Sequence, residues 1–411
     1  MILPRTAIIT LWFPKPSETF VFREVMELER LGLPVRIYSL YGRWKSDLSK
    51  EMAQASTEVE RLGLGFALLA LPEAFAWLAR RPGQTAAVFN KIVCRGYTSA
   101  ERAGENLWGF FCGLRLARRF VAEGISHIHA AWAGGPAAAA WTASSLTGIP
   151  FSFSARAGDI YPVDPVLADK IKAAAFVRTI SQANVAHLRG LALGLEEKIR
   201  MIHDPLPLKP SQEALVTMQP PFKLLGLGRF VRKKGFDVLL EAAKIMTEQG
   251  LDFRLTLAGS GPWEGRLKKL ARELGLESRV AFPGFVRHDQ VGSLLAASDM
   301  LVMPCLVDPS GDRDGLPNVI VEALAHRLPV VATDVSGIGE LIRSGQTGLL
   351  VPERNPAALA EAISRLTSDR TEALRLAERG RELVRKEFDL QTIASRLIQL
   401  FAASTASRAL T

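Results

Sequence analysis

The chain has 411 residues, of which 48% are hydrophobic and 23% are charged. This length suits two or three domains, and the composition excludes disordered, collagen-like and disulfide-rich proteins. Lysine and arginine outnumber aspartate and glutamate by 51 to 42, and residues 1–210 hold 25 basic against 18 acidic side chains. We therefore expect the N-terminal half to meet an anionic partner.

The cysteine count and the N-terminus both bear on the compartment. Cys94, Cys112 and Cys305 form no C-x-x-C pair, and such a sparse, odd count is typical of small buried hydrophobic residues in a reducing compartment. Residues 7–13 are apolar but lack the cationic start and cleavage site of a signal peptide, so they predict a first β-strand. No uninterrupted run of 18 apolar residues occurs, which predicts no membrane-spanning helix. These features predict a cytoplasmic protein.

Short β-branched segments alternate with amphipathic segments along the chain. The predicted strands are residues 6–13, 35–40, 127–131, 150–155, 176–180, 199–203, 223–228, 254–258, 279–282, 300–304 and 329–333. The clearest helical patterns are residues 19–31, 236–248 and 263–274, with one long helix or a broken pair at 371–403. Such alternation predicts parallel sheets covered by helices, with ligands bound beyond the carboxyl ends of the strands.

Five prolines between residues 205 and 221 indicate a semi-rigid linker, because proline fixes φ and removes a backbone donor. The linker separates an expected N-terminal domain, residues 1–204, from an expected C-terminal domain, residues 222–370.

The segment of residues 61–81 is apolar, with Pro72 and Glu73 at its middle and arginines at both ends. It fits an interfacial helix on anionic lipid, and it equally fits a helical pair packed on the first domain with its arginines in solvent. Residues 61–119 hold nine basic against three acidic side chains, which favours an anionic membrane surface as a partner of this region.

Two acids, Asp314 and Glu322, flank a segment that contains Gly315 and Pro317. Proline suits the first turn of a helix, and the N–H groups of residues 316, 318 and 319 would then face a diphosphate. Glu322, on the second turn, could accept hydrogen bonds from paired ribose hydroxyls. The alternative interpretation is ordinary helix capping with a surface glutamate.

Asp312 and Asp314 also form a D-x-D pattern, which occurs in metal sites. A loop rather than a strand end precedes it, and an EF-hand loop starting at Ser310 would place Val321 where a bidentate acid is required. We therefore predict no metal.

Two glycine-containing turns follow predicted strands. Residues 226–235 contain Gly228, Arg229 and Lys234, and residues 258–262 contain Gly259 and Gly261. The first turn fits neither the dinucleotide nor the Walker A pattern. Its cations could still reach a phosphate at the edge of the sheet, although a basic turn alone is commonly solvated surface.

Together these motifs resemble glycosyltransferase family 4. The resemblance is carried by G-R-x-x-x-x-K-G at residues 228–235, A-G-S-G-P at 258–262, the acid pair at 314 and 322, and the segments 329–340 and 345–352. In the first half, residues 17–20, 127–130 and 151–161 resemble the exopolysaccharide and colanic-acid branch of that family.

The resemblance implies a retaining glycosyltransferase with the GT-B fold, in which two Rossmann-like doubly wound domains face each other across a cleft. It also implies that the C-terminal helices, residues 371–411, cross back to the N-terminal domain. The expected reaction moves a sugar from a UDP- or GDP-linked donor to a polyprenyl-diphosphate-linked glycan at the inner face of the cytoplasmic membrane. No metal cofactor is expected.

The resemblance also assigns roles to residues. Arg229 and Lys234 would hold the diphosphate, Glu322 the ribose and Asp314 the hydroxyls of the donor sugar. Further donor-binding residues would be Gly228, Gly259, Gly261, Leu316, Pro317, Asn318 and Val319. Residues expected to face the acceptor or the sugar are Ser17, Glu18, Thr19, His129, Arg156 and Asp159.

Two positions depart from the family's pattern. Asp314 stands where the family usually has glutamate, and Arg156 where it commonly has histidine. A guanidinium can bind a carboxylate through two hydrogen bonds, so one hypothesis is an acidic donor or acceptor sugar. The other is that Arg156 pairs with Asp159 or Glu18 and only shapes the wall of the site. His127, His129 and His203 are either substrate contacts or structural residues.

Two other functions fit parts of the sequence. A nucleotide-sugar epimerase could use the same fold without an acceptor. A basic chain could instead bind nucleic acid, but only four tyrosines occur, and the second half is nearly neutral.

Overall fold

The computed structural model describes residues 3–44, 46–63, 65, 67–206 and 218–409, with the backbone alone at 67–70 and 407–409. The chain divides into two compact units, one of Met1–Pro205 with Leu390–Thr411 and the other of Leu206–Asp389. Residues 207–217 of the predicted linker lie outside the described residues.

The first unit is built on a parallel sheet. Within the described residues its strands are β1 (Thr6–Thr10), β2 (Val35–Ser39), β3 (Val59–Arg61), β4 (His127–Ala130), β5 (Phe151–Ala155), β6 (Phe176–Thr179) and β7 (Ile199–Met201). They run in the order β3-β2-β1-β4-β5-β6-β7. In this register, Ile8 of β1 lies between Ile37 of β2 and His129 of β4. The order reverses between β1 and β4, so the loops after these strands are where a ligand crevice is expected.

Helices cover this sheet. They are α1 (Thr19–Arg30), α2 (Lys50–Gln54), α3 (Ala67–Arg80), α4 (Pro82–Val93), α5 (Ala100–Ala122), α6 (Gly135–Thr147), α7 (Ala157–Ile160), α8 (Leu167–Ala173) and α9 (Gln182–Leu191). The residues Ala137–Ala140 of α6 are fully buried, because small side chains let α6 pack closely against α5 and the sheet.

The second unit repeats this plan. Its described strands are β8 (Phe222–Leu227), β9 (Phe253–Ala258), β10 (Val280–Gly284), β11 (Met300–Met303), β12 (Val330–Thr333) and β13 (Leu349–Val351), and the order is β10-β9-β8-β11-β12-β13. The remaining helices are α10 (Phe236–Glu248), α11 (Glu264–Glu273), α12 (His288–Ala296), α13 (Asn318–Ala325), α14 (Ile338–Leu341), α15 (Pro356–Ser368), α16 (Arg370–Glu387) and α17 (Leu390–Ala409). This strand order is that of dinucleotide-binding folds, with its crevice between β8 and β11.

The predicted fold class, two Rossmann-like parallel-sheet domains, is confirmed. Strands β3 and β13, of three residues each, were not predicted, because so short a segment gives at best a weak periodic signal. In the described part of this segment, residues 371–409 form two helices, α16 and α17, rather than one long helix. Helix α16 packs on α13 within the second unit, and only α17 belongs to the first, where Phe401 lies against the ring of His127.

The segment of residues 61–81 packs on α5 through α3. Glu73 is buried and accepts hydrogen bonds from Arg115 at 2.8 Å and Arg118 at 3.1 Å, and Trp77 Nε1 donates to the carbonyl of Leu114 at 2.8 Å. The inner face of α3 is thus packed against α5. Arg115 and Arg118 of α5 are paired with Glu73 rather than free in solvent. Phe66 and the side chains of Leu68 and Leu69 lie outside the described residues.

The cysteines are all unbridged, but only Cys112 and Cys305 are buried, whereas Cys94 is exposed, contrary to expectation. None of the helices in the described ranges has the length and apolar character needed to cross a bilayer.

Candidate active site

The turn between β8 and α10 carries the cations of the predicted donor site. It ends in a single 3-10 turn, Arg232–Lys234, followed by Gly235 with φ +63°. A Cβ at Gly235 would lie 1.9 Å from the carbonyl oxygen of Pro304, so only glycine lets this turn pack against the loop after β11. That close approach places Lys234 beside Asp314.

Lys234 and Asp314 form a largely buried ion pair, with Nζ 2.7 Å from Oδ2. Lys233 lies 2.9 Å from Asp312 and 3.7 Å from Asp314. The thiol of Cys305 donates to Asp314 at 3.5 Å. Burial alone would raise the pKa of Asp314, but the two lysines outweigh burial and lower it. Burial would likewise lower the pKa of Lys234, yet the adjacent carboxylate raises it. Both groups are therefore charged at neutral pH.

Arg229 is a further cation of this edge. Its side chain is exposed, and the described part of the chain gives its guanidinium no hydrogen-bond partner. It lies close enough to Lys234 to repel that ammonium. An anion at this edge would therefore meet Arg229 before it competed with Asp314 for Lys234.

The second glycine turn lies directly against the first. The N–H of Gly228 donates to the carbonyl of Ala258 at 3.0 Å. Gly259 has φ +145°, and a Cβ there would lie 1.9 Å from the carbonyl oxygen of Gly228. Gly261 packs in the same way on the backbone of Phe230. The two turns thus present backbone rather than side chains at this edge, which leaves room for a ligand.

Helix α13 carries Glu322 on its second turn. Pro317 precedes the helix at the cap position, one residue earlier than predicted, and its carbonyl accepts the N–H of Ile320 at 2.9 Å. The N–H groups of Asn318 and Val319 therefore lie at the positive end of the helix, while the side chain of Leu316 is buried beside them.

Glu322 has a partner that was not predicted. Its Oε1 lies 2.7 Å from Nε2 of His288, the first residue of α12. The only sequence signal for His288 is its place in the loop after β10, at the same edge of the sheet as the loops after β8 and β11.

The two acids of the D-x-D pattern are already paired with lysines. Lys233 Nζ lies 2.9 Å from Asp312, and Lys234 Nζ lies 2.7 Å from Asp314. Among the residues that the structure describes, no group of three or more histidine, cysteine, aspartate or glutamate side chains is placed to hold a metal ion.

In the first unit, Arg156 follows β5 and is only 4% exposed. Its Nε donates to both oxygens of Asp204, at 3.1 and 3.0 Å, Nη2 donates to the same carboxylate at 2.6 Å, and Nη1 donates to the carbonyl of Ala131 at 2.6 Å. The guanidinium also lies 4.6 Å from the ring of Phe20 and 5.0 Å from that of Trp132.

This geometry opposes the acidic-sugar hypothesis, and in the other hypothesis it changes the partner of Arg156. Its side chain pairs with Asp204, not with Asp159 or Glu18. Asp159 instead accepts the backbone N–H of Arg156 at 2.7 Å, and Glu18 accepts from Lys15 at 2.7 Å and Trp132 at 3.1 Å. The acidic-sugar hypothesis requires a free guanidinium fork, and Asp204 occupies that fork.

Asp204 belongs to a buried charge network that was not predicted. Arg178 is fully buried; it donates to Glu24 at 2.6 Å and to Asp204 at 3.1 Å. Burial would raise the pKa of Asp204, but Arg156 and Arg178 lower it. Burial dominates at Glu24 and raises its pKa. The two arginines and two acids balance in charge, which is the condition under which buried ions are tolerated.

His129 does not face an open site. It is 1% exposed, and its ring nitrogens lie 2.8 Å from Ser152 Oγ and 3.1 Å from Ser154 Oγ. Burial holds its pKa well below the usual range. His203 is also satisfied internally, by the carbonyl of Ile180 at 2.8 Å. Of the remaining predicted residues, Ser17 is exposed and Thr19 begins α1, both in the segment that follows β1.

Lowering the pH from 7 to 5 is expected to destabilise the first unit through His127. Burial lowers its pKa to about 3, against about 6.5 in an unfolded chain, so the stability it contributes is present above pH 6.5 and is lost as the pH falls toward 3. The expected loss is about 2 kcal/mol at pH 5. Melting temperatures across this range check it: His127→Phe, which cannot be protonated, should reduce the slope, and an unchanged slope would contradict the assignment.

Comparison with known proteins places the chain near glycosyltransferases. Residues 211–383 match the family described as Glycosyl transferases group 1. A protein named for colanic acid biosynthesis, WcaL of Escherichia coli (strain K12), is 36% identical over 184 residues, which is 44% of this chain and 45% of WcaL. The amylovoran biosynthesis glycosyltransferase AmsK of Erwinia amylovora is 35% identical over 179 residues, 44% of each chain. The matched region thus covers less than half the length of each of these curated relatives.

Solved structures extend the likeness over the whole chain. Sucrose-phosphate synthase from Thermosynechococcus elongatus superposes with a TM-score of 0.73 at 22% identity, covering 98% of this chain and 99% of that one. Anabaena HepE, solved in complex with UDP-glucose, gives a TM-score of 0.72 at 18% identity, covering 97% and 99%. At this identity the likeness concerns the fold, which is that of GT-B glycosyltransferases. Residues 211–383 are accordingly similar to the glycosyltransferase group 1 family, in a chain with the GT-B fold.

Proposed function

We propose that the chain is a retaining glycosyltransferase that moves a hexose from a UDP- or GDP-linked sugar to a glycan acceptor. The observation that carries this proposal is the placement of Arg229, Lys234, Asp314 and Glu322 in the segments that follow β8 and β11, at the carboxyl edge of the second sheet. Arg229 and Lys234 lie in the loop after β8, Asp314 lies in the loop after β11, and Glu322 lies on the helix α13 that follows. These segments lie on the two sides of the point where the strand order reverses. Relatives that share the group 1 domain support the same reaction class.

The charges at this edge suit a leaving diphosphate. Arg229 carries a positive charge, and Lys234 can share its ammonium between Asp314 and a phosphate oxygen. Fixed cations aimed at developing negative charge stabilise the transition state without reorganisation. The N–H groups at the start of α13 add to this field.

The carboxylates suit the polar ends of a nucleotide sugar. Glu322, held by His288, would accept hydrogen bonds from the ribose hydroxyls. Asp314, held by Lys234, would accept from hydroxyls of the transferred sugar. Gly228, Gly259 and Gly261 would let the ligand approach the backbone, and residues 316–319 would line its phosphate side.

Retention of configuration follows from a front-face route. In that route the leaving phosphate accepts the proton of the attacking hydroxyl as the glycosidic bond breaks, so the protein need not supply a general base. Asp314 is unsuited to be that base, because its neighbouring lysines lower its pKa.

The names of the relatives suggest the pathway. WcaL is named for colanic acid and AmsK for amylovoran, both polysaccharides. We propose a polyprenyl-diphosphate-linked glycan as the acceptor, and the inner face of the cytoplasmic membrane as the place of reaction.

The outer face of α3 fits such a surface. Leu71, Phe75 and Leu78 recur at helical spacing and are 59%, 72% and 41% exposed. Residues 71–100 carry one acid, Glu73, and it is buried against α5, whereas Arg80 and Arg81 are exposed. An apolar stripe flanked by basic residues without exposed carboxylates matches anionic lipid.

The test of the proposed function is a transfer assay with radiolabelled UDP-, GDP- and ADP-sugars and a panel of polyprenyl-diphosphate-linked glycans. We expect one donor to give a labelled glycolipid whose new linkage has the donor's anomeric configuration. Conversion of the nucleotide sugar without any acceptor would indicate an epimerase instead. Retention on DNA with no turnover of any nucleotide sugar would indicate nucleic-acid binding.

We expect transfer to be independent of divalent metal, because lysines already neutralise Asp312 and Asp314. Addition of EDTA should leave the rate within about twofold of the untreated enzyme. Loss of activity in EDTA that Mg²⁺ or Mn²⁺ restores would instead make these two aspartates metal ligands.

The full chain is expected to float with anionic liposomes at low salt. At about 1 kcal/mol for each basic residue near the surface, Arg80→Gln with Arg81→Gln should weaken binding about 30-fold, and Phe75→Ser should weaken it further. Leu193→Ser, which changes an 82% exposed leucine elsewhere in the first unit, is the matched control. Unchanged flotation of the Arg80, Arg81 and Phe75 variants would exclude the α3 face.

A further inference from the structure

Four aromatic side chains meet beyond the carboxyl ends of β1 and β2. Trp12 follows β1, Tyr41 and Trp44 follow β2, and Trp108 comes from α5. The ring centroids of Trp12 and Tyr41 are 4.5 Å apart, those of Trp12 and Trp44 are 5.7 Å apart, and those of Tyr41 and Trp108 are 6.2 Å apart with parallel planes. We call these four residues the aromatic platform.

The platform is not part of the hydrophobic core. Each of its four side chains is partly exposed, whereas nearby core rings such as Phe13 and Tyr38 are at most 2% exposed. Trp108 Nε1 donates to the carbonyl of Leu40 at 3.2 Å. Trp44 Nε1 is buried and, within the described residues, has no hydrogen-bond partner. A buried N–H left unpaired costs free energy, so it indicates a donor kept for a ligand.

A cation and a hydrogen-bond chain adjoin the platform. Lys15 Nζ lies 5.2 Å from the ring of Trp12 and 6.0 Å from that of Trp44. The same ammonium bonds to Glu18, whose other oxygen accepts from Trp132. The platform is thereby continuous with Glu18, one of the residues predicted to face the acceptor.

We propose that the aromatic platform binds a pyranose ring of the acceptor glycan. This proposal rests on the proposed function and adds to it the subsite that holds the acceptor. One face of a pyranose is a patch of C–H bonds that packs against an aromatic ring, and its rim of hydroxyls accepts hydrogen bonds. Here the four aromatic rings supply the surfaces on which the C–H face of the sugar packs, and Trp44 Nε1 and Lys15 Nζ supply the hydrogen-bond donors. An acyl or polyprenyl chain would leave both donors unsatisfied, so a lipid tail fits this surface less well.

The experiment measures binding of the fluorescently labelled full chain to an array of oligosaccharides that end in neutral hexoses, deoxyhexoses, amino sugars and uronic acids. We expect the wild type to be retained on at least one class. Trp12→Ala and Trp44→Ala should each lower that signal at least about tenfold. Trp44→Phe keeps a ring and removes only the N–H, so it should lose about fivefold.

Trp263→Ala is the matched control, because Trp263 is a partly exposed tryptophan of the second unit that lies under Arg266. It should bind glycans as the wild type does. If an alanine variant melts early, Trp12→Leu and Trp44→Leu keep the apolar volume and take its place. The proposal that the platform binds a glycan would be overturned in two cases. The wild type would retain no glycan, or the Trp12 and Trp44 variants would bind glycans as the wild type does.

Nucleotide-sugar binding, measured as a thermal shift on the same samples, separates this proposal from the proposed function. The platform variants should keep the wild-type shift. Platform-dependent glycan binding without any nucleotide-sugar shift would overturn the proposed function and leave the platform standing.

Discussion

Lys234→Ala and Glu322→Gln are each expected to lower turnover by about 10²-fold or more while the chain stays folded. Lys234→Ala removes a fixed cation from the diphosphate and frees Asp314 from its partner at 2.7 Å. Glu322→Gln replaces an acceptor-only group by one that can donate, which weakens its hydrogen bonds from two ribose hydroxyls. Nucleotide release from the purified variants, with melting temperatures measured alongside, checks both effects.

The exposed pair Lys268 and Glu264 offers a matched control, since its ammonium and carboxylate are 2.7 Å apart on α11 of the same unit. Lys268→Ala and Glu264→Gln should stay within about twofold of wild-type turnover, because an exposed pair on a helix contributes little. Near-normal nucleotide release by Lys234→Ala or Glu322→Gln would remove that residue from the site.

The second large effect is expected on stability. Asp204→Ala leaves Arg156 without its carboxylate and Arg178 with Glu24 alone, in a network that is at most 6% exposed. Removing one partner of a buried charge network costs about 3–5 kcal/mol. The lowered pKa of Asp204 means that this stability is present above the unfolded value, about 3.9, and is lost as the pH falls below it. Urea unfolding at pH 7, followed as the transition of the first unit, measures the loss.

Asp252→Ala is the control for this prediction, because Asp252 forms an exposed pair with Arg279 at 3.5 Å and is 58% exposed. Its unfolding midpoint should shift negligibly. A midpoint for Asp204→Ala as high as that of the control would show that the buried network contributes no net stability.

The fold could be predicted because its signals are local. Buried parallel strands appear as short runs of β-branched and apolar residues, and the alternation of strands with helices fixes the fold class. The pairing of Lys234 with Asp314 was also within reach, since each follows a strand and β8 and β11 are neighbours where the strand order reverses. The motif spacing and the sheet topology therefore both place Lys234 and Asp314 at the edge where β8 and β11 end.

The partners of other charged residues could not be predicted, because nothing local encodes them. Arg156 and Asp204 are 48 residues apart, and His288 and Glu322 are 34 apart. The alternation of His127 and His129 in β4 shows that they share a face of the sheet, but not that α17 covers that face with Phe401. Side-chain pairing across a sheet depends on which loops and helices cover it, and single-residue patterns do not carry this information.

A thermal-shift titration with UDP-, GDP- and ADP-sugars tests most directly whether the edge between β8 and β11 holds a nucleotide sugar. A ligand at 100 times its Kd adds about 2.7 kcal/mol of stability, so one of these sugars should raise the melting temperature of the second unit by about 5–10 °C. The shift should fall sharply in Arg229→Ala and Glu322→Gln and persist in Lys268→Ala. No shift with any nucleotide sugar, or a full shift in the Arg229 and Glu322 variants, would contradict the assignment of this edge as the donor site.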